Sequence, residues 1–289
     1  MCIRDSSDVC RGPVNVAVIR LNVISMPKFG LRTLLLVFAA CAGILAMACP
    51  AVQQVREAAR RTTCRNNLRQ IVLAMHNYES ACGHLPIGIE TNADGTLRRS
   101  WRTRLYPSFM ESAQQFYDPN FAWDSPENAR LYDGTPVVAT DKGGGNPRKV
   151  ILDPCPHWCW CCPSDSTKRV NYSVVIGDKT AFPLNRAVKF DEITDGLENT
   201  IVAVESLSNS SIWTEPGDIQ FDEMKFLIGN TANGELSSEH PNGVNVAFAD
   251  GKIYFLENTI PADDLRALFT ISGNESVTRR ELLARGILH

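Results

Sequence analysis

The chain has 289 residues, 44% hydrophobic and 21% charged, which is enough apolar material for one large or two small domains and excludes intrinsic disorder. Its 29 basic and 32 acidic residues leave a formal net charge of -3, so no electrostatic footprint points to nucleic acid, and none is expected as a partner. Gly 19 and Pro 16 are ordinary shares that exclude collagen-like and low-complexity chains, while Cys 10 is high for a cytosolic protein and sparse for a disulfide scaffold.

Residues 1–30 show no hydrophobic period and are expected to form an unstructured or leader segment, with Met26 opening the short basic stretch MPKFGLRT. From Leu34 to Val52 the sequence LLLVFAACAGILAMACPAV carries no charge, and its length matches the roughly 20 apolar residues a helix needs to cross a bilayer. Lys28 and Arg32 precede this span and Arg56, Arg60, Arg61, Arg65 and Arg69 follow it. That bias alone favours an internal head, but long C-terminal domains are exported largely regardless of flanking charge, and export is the expectation here.

Beyond the span, Leu68, Ile71, Val72, Met75, Tyr78 and Cys82 recur at helical spacing until Gly83, with Pro86 preventing continuation. One helix is therefore expected over 31–83, transmembrane in its first half, followed by an α+β head over 84–289. The stretch 84–165 reads as mostly irregular, with WRTRLYPSFMESAQQFYD its one short helix, and GGGNPRK at 143–149 lacks phosphate-loop spacing. Further on, VNYSVVIG, NTIVAVES, KFLIG and VNVAFADGKIYFL read as antiparallel strands. In the last of these Val244, Val246 and Phe248 alternate with Asn245, Ala247 and Ala249, and Asp250-Gly251 suits a two-residue hairpin turn. PADDLRALF opens a helix with Pro261 and two acids. The fold class is α+β: a long N-terminal helix packed through its 68–82 stripe against an antiparallel sheet.

Chemistry concentrates in CPHWCWCC, residues 155–162. Cys155, His157, Cys159 and Cys161 or Cys162 could bind zinc, but structural sites usually pair two knuckles and no second one is visible. Disulfide pairing is preferred for an exported head. Cys64 and Cys82 lie too far apart on one helix to join each other, about 27 Å at 1.5 Å per residue, so each needs a partner among Cys155, Cys159, Cys161 and Cys162. No catalytic fingerprint is present, and no cofactor is expected. His240 in SSEHPNG reads as a loop histidine fixing its neighbours rather than a general base. Asp191, Glu192 and Asp195 lack a calcium loop around them. Trp101, Trp123 and Trp213 could form a sugar-binding surface or wedge sheet against helix.

The segment AVQQVREAARRTTCRNNLRQIVLAMHNYESACGHLP resembles the N-terminal signature of the pilin-like proteins abundant in planctomycetes, the family of domain of unknown function 1559. SWRTRLYPSFM, WDSPEN, CPSD at Cys162 to Asp165, DGLENTIVAVE, WTEP, SSEHPNGVNVAFADGKIYFL and LRALFTISGNE are similar to its successive blocks, over residues 31–277. The residues carrying the match are Asn66, Asn67, Trp101, Asp165, Asp195, Gly196, Asn199, His240, Gly243, Asp250 and Gly251. The resemblance implies a type IV pilin or pseudopilin-like build, with a half-embedded helix, an extracytoplasmic sheet and no enzymatic activity. A prepilin cut would fall between Gly30 and Leu31, but Leu35 stands where such leaders carry a Glu that guides assembly, and Arg32 falls in the early helix. This favours an uncut anchor over a filament subunit. The function expected is therefore that of a non-enzymatic, single-pass cell-membrane protein with a structural or adhesive role. Its partners would be membrane lipid and further copies or pilin-like subunits. The alternatives are an extracytoplasmic glycan or small-ligand module built on the three tryptophans, and a metal-dependent hydrolase if carboxylates converge beside His157 or His240.

Overall fold

A computed structural model describes residues 30–109, 116–133, 136–139, 148–151, 160–167, 169–207, 212–229 and 235–289, with side chains left out at 32, 34, 39–51, 106–109, 137–139 and 148–151. The chain divides into two units, Met1–Ala51 and Val52–His289. Helix α1, Leu31–Cys82, contributes its first part to one unit and its second part to the other. Among the described residues no helix is long and apolar enough to cross a membrane. Most of the span expected at Leu34–Val52 falls at 39–51, whose side chains are outside the described residues.

Within the second unit, α1 ends where Gly83 takes φ +75 and its N–H bonds the Glu79 carbonyl, as expected of a glycine after the last turn. There follow β1 (Ile89–Thr91), β2 (Leu97–Ser100), α2 (Trp101–Phe109), α3 (Pro126–Ala129), β3 (Pro136–Ala139) and β4 (Arg148–Ile151). Two antiparallel pairs, β1/β2 and β3/β4, therefore order a stretch expected to be mostly irregular. Next come β5 (Tyr172–Ser173), β6 (Val175–Ile176), β7 (Ile201–Glu205), β8 (Ile219–Gln220), β9 (Gly243–Phe248), β10 (Ile253–Glu257), α4 (Ala262–Ala267) and α5 (Arg279–Ala284). The main sheet is antiparallel in the order β10-β9-β7-β5, whereas β6 and β8 form a separate parallel pair.

Every residue of β9 is buried, so its alternation separates two apolar cores instead of core from solvent. Ala247, Ala249, Ile253, Val202, Ala203 and Tyr172 share one core with Leu68, Ile71, Val72 and Met75 of α1. Val244, Val246, Phe248, Ile201, Val204 and Leu256 share the other with Leu265 of α4, Leu268 just after it and Leu282 of α5. A register shift between Ile201 and Ala203 places the consecutive Val202 and Ala203 on the α1 side, as a bulge does. The helix stripe fulfils the expectation from Leu68 to Met75, and Tyr78 packs against the same core, but Cys82 is exposed.

Three strand expectations are corrected. VNYSVVIG is no single antiparallel strand, for it breaks into β5, antiparallel to β7, and β6, parallel to β8. KFLIG is no strand: Phe226 sits at φ +55, and the Lys225 and Leu227 amides donate to the Glu235 carboxylate, which removes them from any ladder. Nor is Asp250-Gly251 a two-residue turn. Only Gly251 has positive φ (+86), and the strands rejoin through Phe248 N–H to Lys252 C=O, around a turn closed by Gly251 N–H to Phe248 C=O. Gly243 is required by space, because a Cβ there would lie 2.2 Å from the Leu256 carbonyl on β10.

Candidate functional site

Cys64 lies one turn before Leu68 on the buried stripe of α1, so its sulfur faces the sheet rather than solvent. Opposite it, Cys162 opens the CPSD turn. Its N–H donates to Asn171 Oδ1 at 2.6 Å, and the Asn171 amide donates to Asp165 Oδ2 at 2.8 Å. Asp165 also accepts the Thr167 amide and hydroxyl and pairs with Arg169, so a carboxylate holds the turn shut. Asn67 ties that turn to the helix through the Cys161 carbonyl and the Tyr172 hydroxyl. Glu205 ends β7 on the α1 side, where the Asn245 backbone N–H (2.7 Å) and side-chain amide (3.0 Å) donate to its two oxygens. His240 precedes β9 in a loop braced by Ser238 Oγ, which accepts its backbone N–H.

These four side chains, all buried, bring one ligand atom each to within 4.8 Å of one another. The sulfurs of Cys64 and Cys162 are 3.0 Å apart. His240 Nε2 is 3.6 Å from Cys162 Sγ and 3.6 Å from Glu205 Oε1. On the far side of the imidazole, Nδ1 meets Glu57 Oε1 at 2.5 Å, and Glu57 is itself paired with Arg60. Glu57 and Cys64, seven residues apart on α1, thus serve the same cluster from the same helix face.

Cys64 donates its S–H to Cys162, which pushes Cys162 down to about 5 against its burial, with His240 adding to the fall. The same bond, with burial, pushes Cys64 up. Burial works against a charged His240, yet Cys162, Glu205 and Glu57 outweigh it and raise the imidazole to about 9. Burial raises Glu205, whereas Glu57 ends below the ordinary carboxylate range because His240 and Arg60 outweigh its burial. The two thiols, the imidazole and the carboxyl groups thus set one another's proton affinity within one buried cluster.

Of the zinc candidates read from CPHWCWCC, Cys155, His157 and Cys159 lie outside the described residues. Cys161 is disulfide-bonded, and its partner is none of Cys64, Cys82 and Cys162, which are free thiols. Cys162 turns instead toward three side chains from other segments, Cys64, Glu205 and His240. His240 does fix its neighbours as expected, and it also joins two carboxylates. Trp101 and Trp213 are 0% and 1% exposed, and Trp123 lies tilted against Tyr132, so the three form no common sugar-binding surface. A cavity of about 420 Å³ lined by Lys179, Phe221, Arg266 and Glu275 contains no tryptophan.

Most of the remaining motif residues have structural work. Asn66 is exposed. The Asp195 carboxylate accepts the Gly273 and Asn274 amides and gathers no calcium-like set with Asp191 and Glu192, the latter being bound to Arg186 and the Lys189 amide. Gly196 sits at φ +97 in the turn that returns the chain to Asn199, which accepts the Arg279 amide, while Asp250 pairs with the Arg279 side chain at the start of α5. Gly30 precedes α1, whose first residue is Leu31, with its carbonyl accepting the Thr33 N–H. Sequence reading missed Glu57, Glu205 and Asn245 altogether. It also missed a buried Arg102–Asp218 pair at 2.8 Å that accepts the Trp101 indole as well. Apart from the seven-residue step from Glu57 to Cys64 along α1, no local spacing announces these residues, because their partners come from distant segments.

No curated protein and no solved structure matches this chain. Residues 53–181, which contain the Glu57, Cys64 and Cys162 corner of the cluster, match the family model described as a protein of unknown function (DUF1559).

Proposed function

We propose that this protein is a non-enzymatic, membrane-anchored envelope protein of pilin-like build. A single-pass helix would hold an extracytoplasmic head whose role is structural or adhesive, with lipid and further copies or pilin-like subunits as partners. The observation that carries the reading is in the first unit. Leu31, Leu35, Leu36, Val37 and Phe38 expose between 54% and 75% of their surface at the start of α1, a run of large apolar groups that water does not favour and lipid does. The uncharged sequence Leu34–Val52 extends it. A disulfide at Cys161 supports an oxidising compartment for the head. In the second unit, the Leu68 to Met75 stripe beneath an antiparallel sheet supports the pilin-like comparison.

Alkaline carbonate extraction of membranes tests the anchor. The wild-type chain should stay with the membrane. Leu36→Asp with Ile44→Asp, each worth about 3 kcal/mol on the scale of helix insertion, should release it. A wild-type chain that washes free refutes the reading. The mature N-terminus then separates the two forms: a start at Leu31 supports pilin-type processing, and retention of Met26 an uncut anchor.

A hydrolase reading draws on the carboxylates of Glu57 and Glu205 converging at His240. Against it, all four members of the cluster are buried.

A further inference from the structure

We propose that Cys64, Cys162, Glu205 and His240 bind one Zn²⁺ ion that staples helix α1 to the sheet. The donor set is two thiolates, an imidazole and a carboxylate, each of which suits this borderline-soft ion. At ordinary bond lengths a tetrahedron of such donors has edges of about 3.3–3.8 Å. The Cys162–His240 and His240–Glu205 separations of 3.6 Å already fall in that range. The sulfur pair, at 3.0 Å, needs to open by roughly 0.7 Å to reach it.

The surroundings fit a closed metal site. Glu57 holds His240 Nδ1 at 2.5 Å, which turns Nε2 inward in the carboxylate–histidine–metal arrangement. Asn245 grips both oxygens of Glu205, and the Ser164 amide donates to Cys162 Sγ at 3.4 Å, the kind of bond that steadies a coordinated thiolate. Among the described residues the charged partner of the buried Glu205 carboxylate is His240 alone, so a divalent cation would add a second opposite charge to the two hydrogen bonds from Asn245 in offsetting its desolvation. On binding, Cys64 and Cys162 enter as thiolates and His240 as a neutral imidazole donating Nδ1–H to Glu57, with the displaced protons leaving to solvent. Four protein ligands leave no position for a catalytic water, so the ion is structural: it joins the helix, the CPSD turn, the end of β7 and the loop before β9. The inference holds whether or not α1 lies in lipid.

The test is metal analysis of the full chain, purified in mild detergent and dialysed against chelator. About one zinc per chain is expected, and Cys162→Ser and His240→Ala should each cut that content at least tenfold. X-ray absorption at the zinc edge of the unaltered protein needs no variant to fold, and should show two sulfur and two nitrogen or oxygen neighbours. A zinc shell without two sulfurs overturns the proposal. So does a folded, zinc-free chain lighter by two hydrogens, whose digest yields a Cys64–Cys162 cross-linked peptide. Either failure leaves the carbonate extraction result untouched.

Discussion

Asp218→Ala should be among the most damaging single changes outside the cysteine cluster. The Asp218 side chain is 0% exposed and that of Arg102 is 2%, and their contact is bidentate, at 2.8 and 3.1 Å. Asp218 Oδ1 additionally accepts the Trp101 indole N–H and the Val174 amide, both at 3.1 Å. Truncation therefore strands a guanidinium and two further donors in the interior. Leaving one partner of a buried pair uncompensated costs about 3–5 kcal/mol, a large part of a typical stability of about 5–15 kcal/mol. For a domain of this size, about 4 kcal/mol corresponds to a fall in Tm of roughly 8–16 °C. Near-ultraviolet circular dichroism reads the transition through the buried Trp101, Trp160 and Trp213. The double variant Arg102→Met, Asp218→Leu should recover part of the loss, with a coupling of at least about 2 kcal/mol, because both charges leave together. A single-variant cost under about 1 kcal/mol, or no coupling, would refute the claim that this pair braces β5 and the segment carrying Trp101.

Further outcomes can be measured on the same transition. Asn67→Ala removes the donor to the Cys161 carbonyl and the Tyr172 hydroxyl, and should lower stability by about 1–3 kcal/mol without changing secondary structure, as read by far-ultraviolet circular dichroism. Gly243→Ala drives a Cβ into the Leu256 carbonyl and should cost about 1–3 kcal/mol, whereas Gly217→Ala, which meets nothing nearby, should cost much less. Burial raises the Asp165 carboxyl, but hydrogen bonds from Asn171 and Thr167 outweigh it and hold it below the ordinary range. Its stabilising contribution is therefore complete above the unfolded value near ~4 and lost as pH falls through the lower folded one, so acid unfolding of Asp165→Asn should show a shallower slope in that window. An unchanged acid limb would show that the CPSD turn does not depend on this carboxylate.

Local patterns were enough for the elements that form by themselves. A 3.6-residue period and Gly83 mark α1 and its end, β-branched alternation marks β9 and β10, and Pro261 with Asp263 and Asp264 marks α4. The same logic failed at KFLIG, where apolar content suggested a strand. The Glu235 carboxylate, ten residues from Lys225 in sequence, captured the amides a ladder needs. At Trp101 and Trp213 the default expectation of rings wedged between sheet and helix matches the structure, where both lie in the core that contains the α1 stripe.

The sequence by itself determined that a long helix carries an apolar stripe and that a β-rich head follows, because helical and strand periodicity are properties of neighbours along the chain. Only the tertiary structure decided that the sheet is covered on both faces and that Cys64, Cys162, Glu205 and His240 meet. The dense run of thiols at 155–162 drew attention to a local knuckle, yet the cluster takes one residue from each of four segments, with Cys64 and Cys162 98 positions apart. Such a meeting leaves no spacing to read. It exists because packing α1 on the sheet brings buried polar atoms face to face, where each must find a partner.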